Sequence, residues 1–278
     1  MIRPLPNKDL KNKPIGVFDS GLGGLTVVNQ LIRQLPRESI IYFGDTARVP
    51  YGSKSPDTVR KFAVQLTRFL QAQGVKFIVI ACNTVSSVAM EKILEIATVP
   101  VLGVIEPGAN AALSASHNRR IGIIGTTATV SAGKYQEVLT SMDADTVVFS
   151  RACPLFVPLV EEGWIDSEVT EMVARIYLEP LMKSGIDTLI LGCTHYPIIK
   201  DIIRKTVDLS VTIVDSAIQS AREVRRLLSD KQLLNDSEKT PEYRYYVSDF
   251  PQKFEEVARR LLGQPLENVR RISLDDCL

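Results

Sequence analysis

Short apolar runs alternate along this chain with stretches whose apolar residues recur at helical spacing. Ile15 to Phe18 predicts a first strand, and Leu25, Val28, Leu31, Ile32 and Leu35 then form one face of a helix that Pro36 ends. Ile40 to Phe43 predicts a second strand. Ser55-Pro56-Asp57 opens another helix, with serine as cap and proline in the first turn. Its apolar face is Val59, Phe62, Ala63, Leu66, Phe69 and Leu70, and it ends near Gly74. Phe77 to Ile80 predicts a third strand. Apolar runs this continuous suit strands buried on both faces, and their alternation with amphipathic helices predicts a doubly wound parallel sheet.

The same order then recurs. Ile121 to Gly125, Thr146 to Phe149 and Leu189 to Leu191 read as strands, and each half is followed by one more β-rich run, Val99 to Glu106 in the first and Val211 to Asp215 in the second. Gly16 to Cys82 and Gly122 to Cys193 differ in length by only five positions, so the halves read as an ancient duplication. The expected fold is α/β: two similar doubly wound parallel-sheet lobes related by a pseudo-twofold, with the active site in the cleft between them. Residues 1–98 plus 212–278 would form one lobe and 99–211 the other. The tail predicts a helix at about Ala217 to Leu228, a polar stretch from Asn235 to Pro241, a strand at Tyr243 to Val247 and a helix from about Gln252 to Leu262, packing back on the first lobe.

The duplication gives two cysteines a shared context. Cys82 and Cys193 each stand eight positions after a glycine, at the end of an apolar run. Ligand chemistry in open α/β sheets takes place at the carboxyl ends of strands. A lone cysteine there is more often a small buried hydrophobe, but the repeat argues for two equivalent thiols on opposite walls of one cleft. Such a pair can take a proton from one side of a carbon and supply one to the other, which is what a racemase requires. Each stands at a strand-to-helix turn, where the helix dipole is expected to favour the thiolate.

Composition removes several other classes. The 278 residues carry 33 basic and 32 acidic side chains, a net of +1, with no basic stripe for nucleic acid. No window approaches 18 uninterrupted apolar residues and the amino terminus lacks the apolar region of a secretory signal, so a soluble, cytoplasmic protein with no membrane partner is expected. Asp19-Ser20-Gly21-Leu22-Gly23-Gly24 follows a strand, but the third glycine of a dinucleotide fingerprint falls on Thr26 and no Walker lysine follows. The loop reads instead as backbone N–H groups arranged for a carboxylate or other anion. Cys193-x-His195 supplies too few ligands for zinc, and His117 lies in a polar loop. A Cys-His hydrolase built on His195 would leave Cys82 unexplained. Cys153 reads as core and Cys277 as an exposed bystander; Glu161-Glu162 precedes a helix expected from about Asp166.

Four ordered motifs resemble bacterial glutamate racemases from about Lys13 onward: Gly-Val-Phe-Asp19-Ser20-Gly-Leu-Gly-Gly, Asp45-Thr-Ala-Arg-Val-Pro-Tyr51-Gly52, Ala-Cys82-Asn83-Thr84 and Leu-Gly-Cys193-Thr194-His195-Tyr-Pro. The resemblance implies interconversion of L- and D-glutamate without pyridoxal phosphate, metal or other cofactor, supplying D-glutamate for peptidoglycan. It implies Cys193 as the base toward L-glutamate and Cys82 toward D-glutamate, with Asp19, Glu161 and His195 assisting the thiols. Substrate would be held by Asp19, Ser20, Tyr51, Gly52, Asn83, Thr84, Thr126, Thr129, Thr194 and His195, mostly through backbone N–H and hydroxyl groups. It also implies a homodimer and, because the leader is short, activity without an activator. The rivals on the same fold are aspartate racemase, hydantoin racemase and a one-thiol decarboxylase; the rival outside it is a two-lobed binding protein for a small anion.

Overall fold

The structure, a computed structural model, describes residues 10–262, 266 and 269–274. Among these, ten strands follow in chain order: β1 (Ile15–Asp19), β2 (Ile40–Gly44), β3 (Phe77–Ile80), β4 (Val101–Gly103), β5 (Arg120–Gly125), β6 (Val147–Ala152), β7 (Thr188–Gly192), β8 (Thr212–Asp215), β9 (Tyr243–Val247) and β10 (Val269–Arg271). They form two parallel sheets, one in the order β10-β9-β2-β1-β3-β4 and the other in the order β6-β5-β7-β8. Without the two tail strands the orders coincide: second strand, first, third, fourth. The internal repeat in the sequence is therefore a repeat in topology. Both β9 and β10 extend the first sheet.

Register makes the likeness quantitative. Gly16 pairs with Ile78 and Gly122 with Leu189, and a cysteine follows each partner by four positions, Cys82 and Cys193. The thiols thus leave equivalent strands at equivalent heights. The glycines that open the repeated motif, Gly74 and Gly185, have φ of +73° and +67°. Each terminates a long helix, Pro56–Ala72 or Glu168–Lys183, in a left-handed turn that side chains with a Cβ disfavour.

Val101–Gly103 pairs with β3 and Thr212–Asp215 with β7, so the chain changes sheet after Gly103 and after Asp215. The run Val99 to Glu106 is only partly strand because the helix Ile105–Ala115 begins inside it, with Pro107 in its first turn, where a missing N–H costs nothing. That helix and Ser216–Asp230 carry the chain between the sheets and pack against each other. Thr146 precedes β6, and the helix expected from Asp166 starts at Glu168 because Ser167 accepts the N–H of Thr170 as its cap.

Each sheet is covered on both faces. Val17, Tyr42 and Val79 face one core of the first sheet and Phe18, Phe43 and Ile80 the other. In the second sheet Ile124, Leu189 and Leu191 face one side and Ile121, Ile123 and Ile190 the other. At the strand ends opposite the cysteines lies a buried ion pair: Lys76 Nζ is 2.6 Å from Glu38 Oε2 and also donates to the carbonyl oxygens of Lys11 and Leu233.

Candidate active site

The cysteine-bearing ends of the two sheets face one cavity. The first lobe contributes Cys82, Ser20, Tyr51, Gly52, Asn83 and Thr84; the second contributes Cys193, Thr126, Glu161, Thr194 and His195. Three apolar residues complete the wall. Val49 and Pro50 lie inside a motif already singled out by sequence, whereas Val157 had no sequence signal and reaches the cavity through the helix Phe156–Glu161. Asp19 and Thr129 are not in the lining but pack directly behind it.

Cys82 closes the run after β3 and caps the short helix Asn83–Val88. Its thiol donates to Ser20 Oγ at 3.6 Å. Burial, reinforced by the nearby Asp19 carboxylate, pushes its pKa up to about 12. The helix start was expected to favour a thiolate here; desolvation and a like charge outweigh it. Cys82 is therefore held as a proton-bearing thiol.

The backbone N–H groups of Gly21 and Gly24 donate to Asp19 Oδ2 at 3.1 and 3.0 Å. Two N–H groups of the glycine-rich loop are thus engaged by the chain's own Asp19 carboxyl group. Burial raises the Asp19 pKa, while His195 and the loop N–H groups oppose the rise.

Cys193 follows β7 and has a different neighbour. Its Sγ is 3.8 Å from His195 Nδ1, and His195 Nε2 is 3.1 Å from Glu161 Oε1. Burial works against a charged ring, but the hydrogen bonds to Cys193 and Glu161 prevail and raise the His195 pKa to about 10. Glu161 is also desolvated, yet its hydrogen bond with His195 lowers its pKa. Glu162 points elsewhere, 3.6 Å from Lys253 Nζ, so of the adjacent pair Glu161 belongs to the cavity.

Hydroxyl groups stitch the lobes together across the site. Thr84 Oγ1 is 2.9 Å from Thr126 Oγ1 and 3.3 Å from Thr129 Oγ1, and the latter two are 2.9 Å apart. Asn83 accepts a hydrogen bond from Tyr135 OH at 2.7 Å, while its own buried Nδ2 has no partner. The Tyr51 hydroxyl donates to Asp45, which Ser248 and Arg48 also bind. That leaves the ring and backbone of Tyr51, rather than its hydroxyl, for the cavity. A Cβ on Gly23 would lie 2.3 Å from Thr194 Oγ1 and 2.6 Å from His195 Nδ1, and one on Gly52 would lie 2.6 Å from Thr126 Cβ. These glycines set how closely the lobes approach.

Cys153 is fully buried in the second-lobe core with Phe156, as its sequence context predicted. Cys277 lies outside the described residues. His117 is exposed and its backbone N–H donates to Asp187. No group of three or more His, Cys, Asp or Glu side chains among the described residues is arranged to hold a metal ion, and no described helix is long and apolar enough to cross a membrane.

Residues 15–224 match the family model for Asp/Glu/hydantoin racemases. A glutamate racemase of Neisseria meningitidis is 49% identical over 265 residues, covering 95% of this chain and 98% of that protein. Among solved structures, glutamate racemase from Francisella tularensis in complex with D-glutamate superposes with a TM-score of 0.90 at 44% identity, covering 96% of this chain and 99% of the other. The Thermus thermophilus enzyme in complex with β-chloro-D-alanine gives 0.87 at 48% identity, covering 96% and 99%. With the fold, its internal repeat and the sequence likeness in agreement over nearly the whole length, the chain belongs to the Asp/Glu/hydantoin racemase family and is an amino-acid racemase.

Proposed function

We propose that the protein interconverts L- and D-glutamate with two thiols, Cys193 and Cys82, one removing the α-proton and the other supplying a proton to the opposite face. The observation that carries this reading is the placement of two cysteines at equivalent strand ends of two sheets of the same order, both lining one cavity. In the L-to-D direction the Cys193 thiolate removes the α-proton and the Cys82 thiol delivers its own to the opposite face. Cys193 ends protonated and Cys82 deprotonated, and proton exchange with solvent restores the starting state. The raised pKa of Cys82 suits the donor role, and His195 with Glu161 places ring charge beside Cys193.

Loss of the α-proton builds negative charge on the adjacent carboxylate. Among the described residues the cavity lining holds no Lys or Arg, so that charge would meet Ser20, Asn83, Thr84, Thr126, Thr194 and His195, with Thr129 and Asp19 supporting from behind. Donors already aimed at a developing oxyanion are worth about 10²–10³ each in rate. Glutamate is favoured as substrate by the relatives' activity and by the D-glutamate bound in the Francisella enzyme. On the same likeness rest a role in supplying D-glutamate for peptidoglycan, a cytoplasmic location and a homodimeric state. The lobes of this reading are the two sheets with their helices, the tail belonging to the first.

The direct test is incubation with L-glutamate in D₂O, with chelator and no added cofactor, following optical rotation and α-deuterium. Loss of rotation with deuterium entering the α-position supports the reading. Exchange of aspartate or a hydantoin with glutamate inert would retain the two thiols and replace the substrate. Binding without exchange would favour a two-lobed binding protein.

Two further outcomes follow from the geometry. Gly23→Ala forces a Cβ against Thr194 and His195 and should displace them from the cavity; misplacement by about 1 Å can cost about 10²-fold in rate. Steady-state kinetics should therefore show a large fall in kcat/KM, and wild-type kinetics in this variant would contradict the close packing. The chain has two histidines, so ring NMR can follow His195 directly. Its signal is expected to stay protonated through neutrality and to titrate at about 10, and Glu161→Gln should lower that value. Because the folded pKa lies above the ordinary 6.5, the linked stability is fully present below 6.5 and is lost as pH rises toward about 10. A His195 ring signal titrating near 6.5 in the native protein would contradict the Glu161 contact.

A further inference from the structure

We infer that Tyr135 is a positioning residue for the reaction: its hydroxyl fixes the Asn83 side-chain amide so that Nδ2 is presented to the substrate carboxylate. The inference deepens the reading above and rests on it. Tyr135 does not line the cavity and belongs to no motif that carries the family resemblance.

The geometry begins with Asn83, which immediately follows Cys82 and is 2% exposed. A primary amide has one accepting and one donating end, and which end faces the cavity is decided by what the other end binds. Tyr135 OH donates to Asn83 Oδ1 at 2.7 Å. A phenolic hydroxyl donating to the oxygen holds that end away from the cavity. Asn83 Nδ2 is left buried and without a protein partner. Leaving a buried N–H donor without an acceptor is unfavourable, and a carboxylate in the cavity would satisfy it. Rotating the amide by half a turn would put its oxygen toward that carboxylate and turn an attraction into a repulsion.

Tyr135 is itself firmly held. It is 3% exposed, on the helix Lys134–Met142 of the second lobe, in a core with Ile105, Ile121, Ile123 and Ile190. A Cβ on Gly192 would lie 3.3 Å from its ring and one on Gly108 would lie 3.4 Å from its hydroxyl. Gly192 is the residue before Cys193. One rigid tyrosine therefore touches the position just before one thiol and the side chain just after the other, and it does so from the opposite lobe to Asn83. Its hydrogen bond both orients a donor and fixes the separation of the two cysteine-bearing strand ends.

Tyr135→Phe keeps the packed ring and removes only the hydroxyl. Wild type, Tyr135→Phe, Asn83→Ala and the double variant are compared for glutamate racemisation in both directions. Wild-type turnover checks the underlying reading by itself, so its absence is distinguishable from failure of this inference. Tyr135→Phe is expected to lower kcat about tenfold with KM changed less than about twofold, because the carboxylate's charge grows in the transition state. Asn83→Ala should lose about 10²-fold, as for a single oxyanion donor. The double variant should match Asn83→Ala, since the hydroxyl has nothing left to orient. Tyr135→Phe with wild-type kcat, or losses that multiply in the double variant, would overturn the inference; the second result would show the hydroxyl acting on packing independently of Asn83.

Discussion

Replacing Cys82 or Cys193 with alanine is expected to lower glutamate racemisation by about 10³-fold or more in both directions. A positioned general acid or base contributes about 10²–10⁴-fold, and each variant leaves one face of the α-carbon unserved. The loss should fall on kcat. Both thiols are buried, 4% and 6% exposed, but each substitution removes a single heavy atom, so folding should be little affected. Circular dichroism and the thermal midpoint serve as controls. The two variants should differ in their residual chemistry, because Cys82→Ala retains a thiol beside His195 and Glu161 while Cys193→Ala retains one beside Ser20 and Asp19. Either variant keeping more than a tenth of wild-type racemisation would end the two-thiol reading.

The second large effect concerns stability. Glu38→Ala is expected to cost about 3–5 kcal/mol in denaturant unfolding, the usual loss when one partner of a buried ion pair is removed. The Lys76 and Glu38 side chains are 1% and 2% exposed. Burial raises the Glu38 pKa and lowers that of Lys76, and the 2.6 Å contact opposes both shifts. Without Glu38 the ammonium retains the carbonyl oxygens of Lys11 and Leu233 and the weaker, more distant attraction of Asp236. Glu38 also accepts the backbone N–H of Asn235, so the pair fastens the returning tail to the first lobe. A Glu38→Leu/Lys76→Met double variant should be less destabilised than Glu38→Ala, because no buried charge is stranded. A loss below about 1 kcal/mol for Glu38→Ala would show that the site admits water.

Much of the architecture could be read from the chain because its signals are local. Uninterrupted runs such as Phe77 to Ile80 had to be strands buried on both faces, and Gly74 marked a helix end that a left-handed residue closes. Repetition supplied what a single run could not, since equivalent positions in equivalent sheets place Cys82 and Cys193 at matching strand ends. Legibility ended where one polar group's partner is set by the other lobe. The glycine-rich loop reads as an anion cradle, and nothing local says that Asp19 engages two of its N–H groups. Val157 and Tyr135 carry no mark of their distance from the cavity, and the Tyr51 hydroxyl is diverted by Asp45 and, through it, by Ser248 from the far end of the chain. The short strand Val101–Gly103 was extended by apolar residues that belong to a following helix.

The repeat in the fold is a rotation, whereas the two forms of an amino acid are mirror images. The halves accordingly differ around their thiols: Ser20 and Asp19 beside Cys82, His195 and Glu161 beside Cys193. Enantiomers have equal free energies in water, so the Haldane relation requires kcat/KM to be equal in the two directions. The unlike surroundings of the thiols can therefore never favour one product at equilibrium. They are free to make one enantiomer bind more tightly and turn over more slowly, with the two changes locked in proportion.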